Sequence, residues 1–396
     1  MNSLDRINYV NIGLMLISML LAFVLPFELF LFVYAVLGPL HYLTEISWLH
    51  DRNYFTKGRY DVIILIAMGA FITLSQYISP ELAKRKLEHL ELLLPGTQSY
   101  DTNYVWIALV GAAFMIKYKD SAFKFGSLLA ITIISVIAVL KQEQIMYLLN
   151  DVWGEQLSSK LWLLLAGGLI LILVDSKILQ VIGLIFLLVA SIFHKSFTLF
   201  LLAFVPTLIH VYVFTGFFIL FGALKSKSRS GYLSMLLYLV IPAILVYVMP
   251  DARPLDISKY ALETYPKFEG INVLSLQLFT DAQFTQENMF SQIYESNAGI
   301  VLMRFIAFAY CYHYLNWFSK TSIIRWHEVP KRRFAFVLIL WVVSVALYAY
   351  RYEVGFEWLF LLSFLHVLLE FPLNHQSITG IAKEIGARFG LGSAKV

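Results

Sequence analysis

Residues 26–50 read PFELFLFVYAVLGPLHYLTEISWLH. Only one charged side chain, Glu28, precedes His41 in this apolar run. Because a helix needs about 20 mostly apolar residues to cross a bilayer, the run is predicted to be a membrane helix. It ends with His41, Glu45 and His50, three side chains that can bind a metal ion or transfer a proton.

The same spacing, His-x3-Glu-x4-His, returns near the C-terminus. Its members there are His366, Glu370 and His375. Two apolar segments therefore carry the same set of potential ligands, and these two stretches hold most of the chemistry that the sequence indicates.

The composition places the chain in a membrane. Its 396 residues are 59% hydrophobic and only 14% charged, whereas soluble domains contain about 25% charged residues. The single cysteine excludes an intramolecular disulfide and a multi-cysteine metal site. Lys and Arg lie at the edges of the apolar runs, which favours lipid headgroups over nucleic acid as their partners.

Apolar segments predict an all-α helical bundle of about twelve membrane spans, forming one membrane domain over residues 1–396. The candidate spans are roughly 9–26, 27–49, 62–79, 104–117, 122–140, 159–175, 177–193, 197–223, 231–249, 298–318, 333–350 and 355–373. Basic residues concentrate in alternate loops, so both termini are expected in the cytoplasm, with the protein in the inner membrane if it is bacterial. The acidic outer loop 250–297 is expected to form a small extracytoplasmic cap.

Several histidines lie within the predicted spans. Ionisable groups in a bilayer are costly and usually face the bundle interior, so several at similar depth favour a common site over separate structural hydrogen bonds. In the predicted topology their helices run in the same direction, and three of the imidazoles fall within about 6 Å of one another along the membrane normal at 1.5 Å per residue. The predicted metal ligands are His41, His210, His313 and His366.

Two carboxylates each follow one of these histidines by four residues. Glu45 follows His41 and Glu370 follows His366, so each pair shares one helix face. Both glutamates are therefore predicted catalytic residues, acting as metal ligands or as acceptors that orient the neighbouring imidazole.

Three further histidines are additional candidates. His50 and His375 lie nine residues beyond the first histidine of each motif, half a turn out of phase on a straight helix. Pro372 is expected to break its helix and return His375 towards the site. His194 lies at the outer end of its predicted span. Arg304, also inside a span, needs an anionic partner or must extend towards the interface.

Single histidines on separate helices make the chain similar to the integral-membrane non-haem-iron oxygenases of the Brp/Blh type, which cleave carotenoids. The residues that carry this resemblance are His41, His210, His313 and His366. It implies non-haem iron, dioxygen and a long apolar substrate entering from the bilayer; mixed His and carboxylate ligands also suit zinc or manganese. The predicted function is a membrane-embedded, metal-dependent oxygenase or oxidase that acts on a lipid-like or isoprenoid small molecule.

Two other functions remain open at this point. The junction at residues 193–196, Phe-His-Lys-Ser, and the outer loop 250–297 are similar to features of lipid-linked glycan polymerases of the Wzy/EpsG kind. Intramembrane His and Glu residues would also serve a proton-coupled transporter as a relay.

Overall fold

The computed structural model describes residues 3–51, 57–61, 63–64, 66–67, 110–140, 161–193, 200–280, 282–285, 287–320 and 324–389. These residues form helices and no strands, which confirms the predicted all-α class. The α-helices are α1 (Ser3–Val24), α2 (Pro26–Asp51), α3 (Ala122–Leu140), α4 (Leu161–Leu173), α5 (Lys177–Phe193), α6 (Thr215–Ser226), α7 (Arg229–Tyr247), α8 (Lys259–Thr264), α9 (Glu269–Phe279), α10 (Asn297–Ser319), α11 (Lys331–Tyr350) and α12 (Tyr352–Arg388). A π-helical segment (Phe200–Phe214) leads into α6, a 3-10 turn (Tyr265–Phe268) joins α8 to α9, and a π-helical turn (Ser291–Glu295) precedes α10.

Within the described part of the chain, six helices are long and apolar enough to cross a membrane. They are Leu4–Val24, Pro26–Asp51, Thr207–Ser226, Arg229–Tyr247, Asn297–Ser319 and Lys331–Tyr350. The pair Tyr352–Phe360 and Leu365–Arg388 would count as a seventh if the bent pair is one span. The predicted span 62–79 lies largely outside the described residues, and 104–117 is described only from residue 110, as helix. The figure of twelve spans therefore stays a prediction.

The chain forms two compact units. The first contains Met1–Trp48, Ala203–Ser363 and Leu373–Val396, and the second contains Leu49–Leu202 and Phe364–Pro372. Each unit buries its own polar groups, and the two are described separately below.

Helix α10 forms the centre of the first unit. In the apolar 18-residue stretch of α10, 72% is buried, compared with 17% in the corresponding stretch of α11. Helix α1 packs along α10 through side-chain hydrogen bonds: Tyr312 Oη donates to Asn11 Oδ1 at 3.1 Å, and Cys311 Sγ donates to Ser18 Oγ at 3.4 Å. Helix α2 is also largely buried, so side chains on α2 and α10 are the ones most removed from lipid and water.

The N-terminal ends of α2 and α10 are each defined by a specific residue. Pro26 is the first residue of α2, a position whose N–H has no partner in a helix, so proline is tolerated there. The Ser296 hydroxyl accepts a hydrogen bond from the Gly299 N–H at 2.9 Å and caps α10. A cap of this kind contributes about 1 kcal/mol to helix stability.

Helix α12 runs through Pro372 to Arg388, so the expectation that this proline breaks the helix is wrong. A proline inside a helix removes one backbone donor and costs about 3 kcal/mol. Pro372 is buried, and packing around a buried ring can offset that cost. His375 therefore remains on the same continuous helix, three residues beyond the proline.

The second unit contains a buried ion pair. Lys124 Nζ on α3 lies 2.5 Å from Asp61 Oδ1, and both side chains are fully buried. Asp61 Oδ2 also accepts a hydrogen bond from the Gly58 N–H at 2.7 Å. A Cβ added at Gly58 would collide with the Asp61 and Lys124 side chains, so this close approach requires glycine.

We expect Asp61→Asn to destabilise the protein by about 2–3 kcal/mol, less than the about 3–5 kcal/mol of a fully unpaired buried charge. It removes the buried carboxylate partner of Lys124 and leaves only the partly exposed Asp120, whose Oδ1 lies 3.2 Å from Lys124 Nζ. Chemical unfolding of the detergent-purified protein measures this loss. Asp175→Asn is the matched control, since the ion pair between Asp175 and Lys117 is solvent-accessible and should be worth at most about 1 kcal/mol. Equal losses in the two variants would contradict the assignment.

Candidate metal centre

Two histidines from the innermost helices of the first unit meet through their ring nitrogens. His41 on α2 and His313 on α10 place their Nε2 atoms 3.1 Å apart, with ring centroids separated by 4.8 Å. Both side chains are buried. The predicted proximity of these two imidazoles, which are 272 residues apart in the chain, is therefore observed.

Glu45 lies one helical turn beyond His41. Its Oε2 atom is 3.1 Å from His41 Nε2, and the side chain is 1% exposed. Among the described residues, no group donates a hydrogen bond to Glu45 Oε2. Since a buried carboxylate is costly without a paired charge, this oxygen favours a cation as the group that completes the site.

The second ring nitrogen of His313 is engaged by a hydroxyl. Thr215 Oγ1 lies 2.8 Å from His313 Nδ1, and both atoms are buried. When the Nδ1–H donates to Thr215, the lone pair is on Nε2, the nitrogen that faces His41. A hydrogen bond at one ring nitrogen that fixes the other as a ligand is the usual arrangement around protein metal ions.

His210 approaches His313 from the same segment that carries Thr215. Its buried ring lies edge-on to the His313 ring, with centroids 5.0 Å apart. His210 belongs to the π-helical segment Phe200–Phe214, where residues five apart lie about one turn apart. This winding puts His210 and Thr215, which are five apart, on one side of the segment; an ordinary α-helix would turn them away from each other.

The other predicted site residues are placed differently. His366 and Glu370 belong to the second unit, where both side chains are buried, and their roles stay predictions. His50 is exposed at the end of α2, and His375 is half-buried on α12. His194 lies outside the described residues.

Aromatic side chains enclose the histidine pair. The Trp317 ring lies edge-on to the His41 ring at 5.5 Å, and its Nε1–H donates to Thr44 Oγ1 at 3.0 Å. Tyr42 and Tyr314, which directly follow the two histidines, join their hydroxyls at 2.7 Å. These rings therefore shield the histidine pair from bulk water.

Two of the three separations among the candidate ligand atoms are in the range expected around a bound metal ion. Zinc-like metals bind imidazole nitrogen and carboxylate oxygen at about 2.0–2.2 Å, which puts neighbouring ligand atoms about 3 Å apart. The two separations measured from His41 Nε2, to His313 Nε2 and to Glu45 Oε2, are both 3.1 Å. Two imidazoles and one carboxylate form a donor set suited to non-haem iron, zinc or manganese.

Comparison with known proteins assigns no family to this arrangement: no family model, curated protein or solved structure matches the chain significantly.

Sequence reasoning missed two features of the site. The bond from Thr215 to His313 joins residues 98 apart, and the hydroxyl pair of Tyr42 and Tyr314 joins residues 272 apart. The only local signal was a polar side chain in an apolar run. Neither periodicity nor depth indicates which distant residue such a side chain meets.

We expect Tyr42→Phe to destabilise the protein by about 1–3 kcal/mol, because it leaves the Tyr314 hydroxyl buried without this partner. The double variant with Tyr314→Phe should cost little more than either single change, since the two hydroxyls stabilise one contact. Unfolding measurements on all four proteins give the coupling energy. Strict additivity would show that the two hydroxyls do not act together.

Proposed function

We propose that the chain is a membrane-embedded, metal-dependent oxygenase or oxidase acting on a lipid-like or isoprenoid substrate. His41, His313 and Glu45 would hold the metal ion. Further ligands or outer partners, proposed from the sequence, are His210, His366 and Glu370. Non-haem iron is the preferred metal, with zinc or manganese as alternatives.

The observation that carries this proposal is the convergence on one ring nitrogen. His313 Nε2 and Glu45 Oε2 both lie 3.1 Å from the Nε2 atom of His41. A proton relay passes a proton into an imidazole at one nitrogen and out at the other. His313 has neighbours at both of its nitrogens, but these two neighbours of His41 both lie at its Nε2 atom. Convergence at one point favours a shared cation, and it therefore favours the metalloenzyme over the proton-coupled transporter.

A bound metal ion would supply dioxygen activation if it is iron, or Lewis-acid activation of water or a carbonyl if it is zinc. The protein's own groups prepare the site for it. The Glu45 carboxylate contributes the negative charge that a buried divalent cation needs, and Thr215 fixes the ring orientation of His313. The tyrosine and tryptophan side chains around the pair exclude bulk water.

The surroundings favour an apolar substrate. The histidine pair is buried between helices of membrane-crossing length, so a substrate dissolved in the bilayer would reach it without passing through water. The proposal also includes the predicted topology of about twelve spans with cytoplasmic termini, and a cap over residues 250–297. The helices α8 and α9 within that loop support a folded cap.

We expect the detergent-purified protein to contain about one transition-metal ion per chain, and His41→Ala or His313→Ala to lower that content at least about tenfold, because each removes a ligand. Elemental analysis by mass spectrometry measures it. His50→Ala is the control: this histidine lies on the same helix but is exposed, and the metal content should not change.

Absence of a stoichiometric metal from the wild-type protein would sink the proposal. So would a metal content that the His41 and His313 variants do not alter. Proton-coupled uptake by metal-free protein in vesicles would then favour the transporter, whereas lipid-linked glycan polymerisation sensitive to changes in 250–297 would favour the polymerase. Loss of metal in His366→Ala would identify the further ligand that the sequence predicts.

Thr215→Val should lower metal affinity about 10–100-fold, the usual effect of removing a group that orients a metal-bound histidine. Thr215→Ser keeps the hydroxyl and should retain most of the affinity. Competition with a chelator, followed by metal analysis, compares the two variants. Equal affinities in the Val and Ser variants would show that the hydroxyl does not orient His313.

A further inference from the structure

Arg304 is a buried cation in the interior of a candidate membrane helix. It is the eighth residue of α10, and its side chain is fully buried. Its guanidinium stacks on the Phe23 ring at 4.1 Å and donates to the backbone carbonyls of Met249 and Ala252. Among the described residues, its Nε–H has no hydrogen-bond partner, and no carboxylate forms an ion pair with it.

A buried cation without a carboxylate is costly. Backbone carbonyls satisfy hydrogen bonds but carry no net charge, and an uncompensated charge in an apolar setting is destabilising by several kcal/mol. Arginine is also the side chain best shaped for oxyanions, because its fork of N–H donors matches two oxygens at once. Among the described residues no carboxylate pairs directly with this side chain, so an oxyanion in contact with the guanidinium would stabilise it.

Arg304 lines a cavity of about 290 Å³ that lies in the first unit. The cavity is formed where α1 ends and α2 begins, beside the first turns of α10 and the segment 253–262. Its walls combine apolar side chains with a second arginine, Arg253. Because three helices of membrane-crossing length begin or end here, the cavity lies at the depth expected for a lipid headgroup.

Three carboxylates also line this cavity, from Glu28, Asp256 and Glu295. Glu28 Oε1 already accepts a hydrogen bond from the Ser258 N–H at 2.7 Å. In the described part of the chain, no ion pair joins the three carboxylates to Arg304 or Arg253. The cavity thus combines one buried cationic donor, Arg304, with the exposed Arg253 and several acceptors. This combination matches a ligand that carries both an oxyanion and hydroxyl or ammonium groups.

We propose that this cavity binds the oxyanionic headgroup of an amphipathic molecule, with Arg304 contacting the phosphoryl or carboxylate oxygens and the apolar wall contacting the start of the tail. The site is separate from the candidate metal centre. Arg304 and His313 are nine residues apart on α10, about 14 Å along the axis and half a turn out of phase.

The test measures the thermal stability of purified protein in detergent with three probes: phosphatidylglycerol, diacylglycerol and inorganic phosphate. Phosphatidylglycerol should raise the melting temperature, whereas diacylglycerol, which has the same apolar chains without the phosphoryl group, should not. Arg304→Gln should abolish the shift. Arg351→Gln, at an exposed arginine outside the cavity, should keep it.

The probes also separate the two sources of the oxyanion. A shift with phosphatidylglycerol alone assigns a lipid headgroup, and an Arg304-dependent shift with inorganic phosphate assigns a soluble oxyanion. No Arg304-dependent shift with either probe overturns the proposal. Metal content should be unchanged in Arg304→Gln, so this test and the test of the metal centre fail independently.

A second pair of variants tests anion binding in the cavity if Arg304→Gln does not fold. Leu255 lines the cavity and its side chain is 54% exposed, so polar substitutions there should be tolerated. Leu255→Glu adds a negative charge at the rim and should reduce the phosphatidylglycerol shift, whereas the neutral Leu255→Gln should not. Equal shifts in these two variants would also overturn the proposal.

Discussion

A polar side chain buried in an apolar helix bundle must meet another polar group, and this constraint sets the register of α2 against α10. Three neighbouring positions satisfy it together. Tyr42 meets Tyr314, His41 meets His313, and Thr44 accepts from Trp317. Sliding either helix by one residue would separate all three pairs, so the contact between the two innermost helices fixes where the imidazoles lie.

The π-helical segment before α6 brings a third element to the same histidine. Segments of this kind are unusual and often occur at functional sites. Here the wider winding turns His210 and Thr215 towards one side, so that both reach His313. The same residues in a regular α-helix would face different neighbours, and His313 would lose either its hydroxyl partner or its ring contact.

Hydropathy predicted where the inner helices lie, and depth along the membrane normal predicted that His41 and His313 come together. Both inferences rest on length and direction, which a sequence contains. The Thr215 partnership depends on a change of helical winding, and the continuation of α12 through Pro372 depends on packing around a buried ring. Neither feature can be predicted from the local periodicity of the sequence. The spans in the segments that the structure does not describe, and hence the count of twelve, remain predictions.

The two buried polar sites of the first unit have opposite electrostatic requirements. Around His41, Glu45 Oε2 and His313 Nε2 both lie 3.1 Å from one ring nitrogen, so the proposed cation would lower the energy of the site. Around Arg304, the buried guanidinium forms no ion pair with a carboxylate of the described residues, so the proposed anion would lower the energy there. Because both sites lie on α10 but face opposite sides, each can be filled without displacing the other. With both proposed ligands bound, α10 would be stabilised by them as well as by its packing.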